Sequence, residues 1–403
     1  MQNSLGQPNL YKALLTGHVG SGKSSELFRL GQELANDFFV IWFDAETTLA
    51  TETANHFDVL LAMGLAVHAA AYAAGLEPEE SRVKEFVRSF AKFVRKFENR
   101  KGFSLRFDQI LKQVVALALG AFGVSPTVLS AADATLGATR LELKVGDDLV
   151  RTLELPANRR EIIGALNRII EGVQRQAVGK PVLIITDGLD KVPPNRARQL
   201  FADSTLLTEP ACALVYAAPI EFYHRLTAGQ VTNLFDEYRI LPNPAVHKRP
   251  PTGENWKIER AGNEGEIEVM RKVIIKRLTA HQKVPEEVIT PQALTLMIQT
   301  SGGVMRELIR SFRDAATFAQ LLGKMQIDEA IVREGIDQQR QVTASRLTMP
   351  HIEALRRVLQ HGALNGGQQE TMEDDLMRGL FLLSYQDAPH SWFDVHPNVL
   401  LLL

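Results

Sequence analysis

The sequence predicts an α/β protein with a mostly parallel sheet, a helical insertion, a helical lid subdomain and a C-terminal winged-helix-like domain. Three observations predict it. Two short apolar runs end in turns rich in chemistry, at residues 12–24 and 182–190. Strand-like and helix-like segments alternate around those turns, which is the pattern of a parallel sheet covered by helices. From residue 267 onward the pattern is helical, until two closely spaced strand-like runs near the C-terminus.

The first turn is Gly17, His18, Val19, Gly20, Ser21, Gly22, Lys23 and Ser24, followed by Ser25. Residues 17–24 read G-x-x-x-x-G-K-[ST], the phosphate-binding P-loop. A short apolar run, Ala13, Leu14 and Leu15, precedes it. Leu27, Leu30 and Leu34 follow at helical spacing. The glycines let backbone N–H groups turn inward around phosphate oxygens, and the helix N-terminus adds partial positive charge. Lys23 is expected to reach the β- and γ-phosphates and the Ser24 hydroxyl to sit on Mg²⁺. ATP and Mg²⁺ are therefore the expected cofactors.

Residues 38–43 form a continuous apolar run, expected as a strand buried on both faces. It ends at Asp44, Ala45 and Glu46, where strand-end solvation is the simpler reading of the acids. Residues 47–150 read as a mainly helical insertion. Within it, 54–74 is one alanine-rich helix ending at Gly75, and 107–122 is another apolar helix. Residues 81–101 place Phe86, Phe90, Phe93 and Phe97 on one helical face among eight basic side chains. The ordinary reading puts that face in the core; the other makes it a basic surface for a membrane, nucleic acid or an acidic partner. Residues 139–145 alternate as a half-exposed strand.

An amphipathic helix at 158–178 leads to the second turn. Val182, Leu183, Ile184 and Ile185 run into Thr186, Asp187, Gly188, Leu189 and Asp190. This is a Walker B pattern. Asp187 is expected to hold Mg²⁺, a cation that prefers carboxylate oxygen and keeps several waters. Asp190 is expected to polarise the attacking water. Strands follow at 213–218 and 238–241, and residues 248–266 read as an exposed loop. Helices are expected at 267–281, 290–300, 304–322 and 327–337, with Ser301, Gly302 and Gly303 forming a sharp turn before Arg306 and Arg310. Residues 338–345 are polar and read as a linker. Two short helices and two strands, at 380–385 and 392–395, complete the tail.

Composition narrows the classes. The chain has 403 residues, 45 Lys and Arg against 47 Asp and Glu, so bulk electrostatic binding to nucleic acid is not expected. Cys212 is the single cysteine, which excludes an intramolecular disulfide and a cysteine metal site. The polar N-terminus has no secretory h-region, and the longest candidate membrane stretch, 110–124, is too short to span. A cytoplasmic protein without a transmembrane segment is expected.

Taken together, the P-loop, the 182–190 strand end, residues 301–308 and the tail pattern resemble AAA+-type ATPases, in the branch shared by origin-recognition initiators and STAND-like signal-transduction ATPases. The layout also resembles uncharacterised bacterial ATPases of defence settings. The resemblance covers about three-quarters of the chain, leaving out most of 47–150. It implies a domain plan of an ATPase core at 1–46 and 151–248, an insertion at 47–150, a lid at 265–342 and a winged-helix-like domain at 346–403. It also implies that Arg306 is the sensor 2 arginine facing the γ-phosphate. Two departures stand out: Gly188 follows Asp187 where many relatives have a glutamate, and the sensor 1 strand carries Ala217 and Ala218 instead of a polar residue. Both point to slow hydrolysis and to a switch more than a motor.

The leading expectation is an ATP-driven switch or assembly factor, with self-association or a protein partner. In it, ATP bridges the core and the lid, read by Lys23 and Arg306. A DNA-binding initiator or loader is the alternative, against which the tail balances Arg356, Arg357 and Arg378 with Glu353, Glu370, Glu373, Asp374 and Asp375. A small-molecule kinase is the weakest reading, because the 248–265 loop lacks an arginine-rich lid. Arg225 and Arg239 are candidates for an arginine finger in a ring, with nothing in the sequence to choose between them.

Overall fold

The computed structural model describes residues 10–76, 81–83, 85–86, 88–90, 156–225, 234–251, 253, 260–364, 370–387 and 390–403. The expected 107–122 helix, the 139–145 strand, and Phe93 and Phe97 lie outside them. The chain divides into two compact units. One comprises Met1–Thr16 and Ser24–Arg239; the other comprises Gly17–Lys23 and Ile240–Leu403.

The first unit is built on a five-stranded sheet of order β2-β3-β4-β1-β5. The strands are β1 (Lys12–Thr16), β2 (Phe39–Asp44), β3 (Val182–Asp187), β4 (Ala213–Ala218) and β5 (Glu237–Ile240). The pairs β1–β4, β3–β4 and β2–β3 are all parallel. Parallel strands covered on both faces read as unbroken apolar runs, and every residue of β4 is buried. The register aligns Asp44 with Asp187 and Thr16 with Ala218. These residues end their strands, and in open α/β sheets ligands bind outside that carboxyl edge.

The helix His56–Ala73 begins at Asn55 through a capping box with Asp58. It packs on β2 and on the helix Pro156–Gln176, and its side chains join the same apolar core as the sheet. Among the described residues it is the one helix long and apolar enough to cross a membrane, and most of it is buried inside the protein. The 110–124 stretch considered in the sequence lies outside the described residues. Phe86 and Phe90 are fully buried, and Phe90 meets Phe57 edge-on at 4.6 Å. In its described part the phenylalanine stripe is thus core. The charged side binds locally: Arg168 pairs with Glu85, and Arg82 donates to the Arg168 carbonyl.

In the second unit the helices Glu264–Ala280, Pro285–Val288, Pro291–Thr300, Met305–Leu321 and Glu329–Arg346 surround a core that includes Ile267, Met297, Leu308 and Ile331. The expected linker at 338–345 is helical. It continues the helix that Asp328 caps at its start. Polarity there marks a solvent face, and with no glycine or proline in 338–345 nothing stops the helix. The expected 248–266 loop also ends early: Asn263 precedes a helix starting at Glu264, and His247 bridges Gly262. Helices Met349–His361 and Glu370–Arg378 follow, then the antiparallel hairpin of β6 (Leu382–Asp387) and β7 (His390–Val395). Tyr385 and Trp392 stack across it at 4.5 Å.

Candidate nucleotide-binding site

In the first unit the site chemistry stands at the carboxyl edge of the sheet. Ser24 is exposed in the first turn of the helix Lys23–Leu34, as is Ser25. Burial raises the Asp187 pKa from its ordinary value; the neighbouring Ser24 hydroxyl opposes this, and the nearby Asp190 adds to it. Asp187 also accepts from the Gly188 N–H at 2.9 Å. Asp190 lies in a short 3-10 turn, Leu189–Lys191. Asp44 caps the turn after β2 by accepting from the Glu46 N–H at 2.9 Å, and Glu46 pairs with Lys191.

Gly188 explains why the acid pair is split. Its φ is 83°, and a Cβ there would lie 2.6 Å from the backbone nitrogen of Glu46. A glutamate directly after Asp187 has no room, so the next acid the chain can offer is Asp190. The expected sensor 1 position is apolar, with Ala217 and Ala218 fully buried in β4.

Gly17–Lys23 belongs to the second unit. Lys23 is 4% exposed, and its Nζ donates to the carbonyls of Gly17 at 2.8 Å and His18 at 2.9 Å. The Ser21 N–H closes a turn on the His18 carbonyl. The buried Ser21 Oγ meets no hydrogen-bond partner among the described residues, a polar atom of the kind a phosphate oxygen would satisfy. Gly20 and Gly22 have φ of 89° and 106°, the left-handed region that glycine fills without steric cost. Val19 is half-buried beside them.

Arg306 begins the helix Met305–Leu321, and its backbone N–H donates to the Gly20 carbonyl at 3.1 Å. Its side chain is exposed. The turn before it requires its glycines: Gly303 has φ 77°, and a Cβ there would lie 1.9 Å from the Pro244 carbonyl oxygen. Arg310, one turn on, pairs with Glu307 at 2.8 Å. Of the two finger candidates, Arg239 pairs with Glu237 on β5.

Two contacts escaped the sequence reading. His18 Nε2 accepts from the Ser384 N–H at 2.8 Å, and His18 is 1% exposed. Arg260 makes a buried two-bond pair with Asp394. Neither has a local signal, because the partners are 366 and 134 residues apart.

The donor set suits Mg²⁺. A serine hydroxyl beside a carboxylate offers hard oxygen donors, and this cation takes few protein ligands beside water and phosphate oxygens.

No family model matches the chain, and no curated protein matches it. Among solved structures it is similar to Cdc6p from Pyrobaculum aerophilum, at 12% identity and a TM-score of 0.40, over 100% of this chain and 88% of that one. It is similar to the ORC2 protein of Aeropyrum pernix at 11% identity and 0.38, over 98% and 86%. It is similar to the RuvB Holliday junction branch migration motor of Thermotoga maritima at 11% identity and 0.35, over 97% and 87%.

Proposed function

We propose that this chain is an AAA+/STAND-like ATPase that binds Mg²⁺ and ATP, hydrolyses ATP slowly and uses the nucleotide as a switch. The observation that carries the reading is the G-x-x-x-x-G-K-[ST] sequence at residues 17–24, whose Ser24 neighbours Asp187 at the end of β3. In this reading residues 17–25 bind the phosphates and Lys23 neutralises the β- and γ-phosphates. To do so its Nζ leaves the Gly17 and His18 carbonyls. Ser24 and Asp187 hold Mg²⁺, which supplies charge neutralisation on the phosphates when bound. Asp190 orients the attacking water, and its position three residues after Asp187 suits slow turnover. Arg306 senses the γ-phosphate. We also read residues 1–46 and 151–248 as the core, 47–150 as the insertion, 265–342 as the lid and 346–403 as a winged-helix-like module. A setting in bacterial defence, with self-association or a protein partner, is the biological form of this reading.

The test is ATP turnover by the purified chain beside Lys23→Ala and Asp187→Ala, with and without duplex DNA. Slow turnover, lost in both variants and indifferent to DNA, is expected. Unchanged ATP affinity and oligomeric state in Lys23→Ala would overturn the switch. The second reading, a DNA-binding initiator or loader, requires DNA-stimulated turnover and salt-sensitive binding.

A further inference from the structure

A cavity in the second unit is lined by the P-loop residue Val19 and by residues between 297 and 399. It measures about 790 Å³, within the usual range for small-molecule sites. Its walls come from the helices Met305–Leu321 and Glu329–Arg346 and from the segment around β6 and Pro397–Leu400. Phe318, Val332 and Ile336 form an apolar side. At the polar side stands Asn398, 5% exposed. Its Nδ2 donates to Gln339 Oε1 at 3.3 Å. Its Oδ1 is buried and has no hydrogen-bond partner among the described residues. A buried acceptor left unmet is costly, and this one belongs to a side chain lining an open cavity.

The second observation is cationic. Arg346 lines the same cavity and is exposed. Its guanidinium sits 5.0 Å over the Phe381 ring, and among the described residues no carboxylate pairs with it. Stacking fixes the plane of the guanidinium while its N–H fork stays available, the arrangement that suits two-pronged binding of phosphate. Arg310 on the same wall is already paired with Glu307; Arg378 also lines the cavity but is less exposed than Arg346, so Arg346 is the cation assigned to the ligand.

We propose that this cavity binds a small organic phosphate of nucleoside monophosphate size, with its phosphate on Arg346, its apolar body against Phe318 and Ile336, and an N–H donor on Asn398 Oδ1. The cavity borders the P-loop, because Val19 lines it, but the groups assigned to the ligand, Arg346, Phe318, Ile336 and Asn398, are none of those proposed to bind ATP. A bare phosphate ion is too small to use the apolar wall, and a nucleoside without phosphate leaves Arg346 unused.

The test is calorimetric titration of adenosine monophosphate into the full chain held in saturating Mg²⁺ and ADP. The expected result is one site per chain, with adenosine and inorganic phosphate each binding more weakly. Arg346→Met, an exposed substitution, is expected to weaken it roughly tenfold or more. Asn398→Ala is expected to weaken adenosine monophosphate and leave inorganic phosphate unmoved. Lys23→Ala is expected to lose ADP while keeping adenosine monophosphate. Absence of saturable binding, or binding equally tight in Arg346→Met, would overturn the proposal. Loss of ADP binding alone would count only against the P-loop reading.

Discussion

The backbone N–H of Arg306 donates to the carbonyl oxygen of Gly20 over 3.1 Å. The bond ties the first turn of a helix to the middle of the P-loop. The contact is close enough that a Cβ on Gly20 would lie 2.6 Å from the Arg306 Cβ. Because the bond uses the main chain, it survives any change of the Arg306 side chain.

Gly20→Ala is therefore expected to act through the backbone. Its φ of 89° disfavours any side chain, and strain of this kind costs about 1–3 kcal/mol. Thermal unfolding should report the loss, and ATP titration should weaken with it. A variant as stable and as tight-binding as the parent would mean that the loop and the helix do not depend on each other.

Arg306→Ala separates the side chain from that bond. At an exposed position the stability change should stay within about 0.5 kcal/mol. A γ-phosphate contact predicts that discrimination between ATP and ADP falls about tenfold while ADP affinity holds. Equal loss for both nucleotides would make Arg306 a general phosphate contact instead of a sensor.

Asp187 gives a pH prediction. Its pKa is raised by burial, so the folded chain binds this proton more tightly than the unfolded chain does. The stability associated with the protonated form is present at low pH and is lost as pH rises through the folded-state pKa. Mg²⁺ needs the ionised form, so Mg²⁺-dependent nucleotide binding should fall as pH is lowered through that same value, above the ordinary 3.8. Ser24→Ala removes the hydroxyl that holds the pKa down and should move the midpoint upward. Asp187→Asn should raise apo-protein stability at neutral pH and abolish turnover. A midpoint unmoved in Ser24→Ala would deny the Ser24 hydroxyl that role.

Much of this was legible in the sequence because the decisive signals are local. β3 and β4 are short apolar runs buried on both faces, and the glycine loop lies directly between a strand and a helix. The loops that need positive φ, at Gly20, Gly188 and Gly303, announced themselves as glycines. What was not legible depends on tertiary partners. Residues 338–345 looked like a linker because their polarity, read without neighbours, does not distinguish a surface helix from a loop. His18 offered no sign that it accepts from Ser384, and Arg260 looked like a loop arginine until its pairing with Asp394 placed it in the interior. Gly188 looked like a defect in the Walker B pattern; the Glu46 backbone shows it to be a steric requirement.

His56 and Asp58, two residues apart at the buried start of one helix, make opposing contributions. Burial lowers His56 to about 4 and raises Asp58 to about 7. For His56 the unfolded chain holds the extra proton between about pH 4 and 6.5, so stability rises with pH there. For Asp58 the folded chain holds it between about pH 4 and 7, so stability falls with pH. The two nearly cancel in the wild type. Asp58→Asn should unmask a stability that climbs with pH across that window, and His56→Gln one that declines. Chemical denaturation at several pH values reads both slopes; parallel profiles in the two variants would refute the opposition.

Arg260 and Asp394 supply the last prediction. Both side chains are 5% exposed, and two bonds of 2.8 Å join them. Removing one partner leaves the other charge buried, which costs about 3–5 kcal/mol. Replacing both by apolar groups removes the uncompensated charge, and such swaps are often neutral or stabilising. Asp394→Ala should therefore lower the denaturation midpoint sharply, while Arg260→Met with Asp394→Leu should recover most of it. The pair reaches from the residues before Glu264–Ala280 to β7, so its loss should loosen the hairpin first, and hydrogen exchange at Ser384 should rise in Asp394→Ala before the unit unfolds. A double variant no more stable than the single one would show that the pair's worth lies in shape and not in charge.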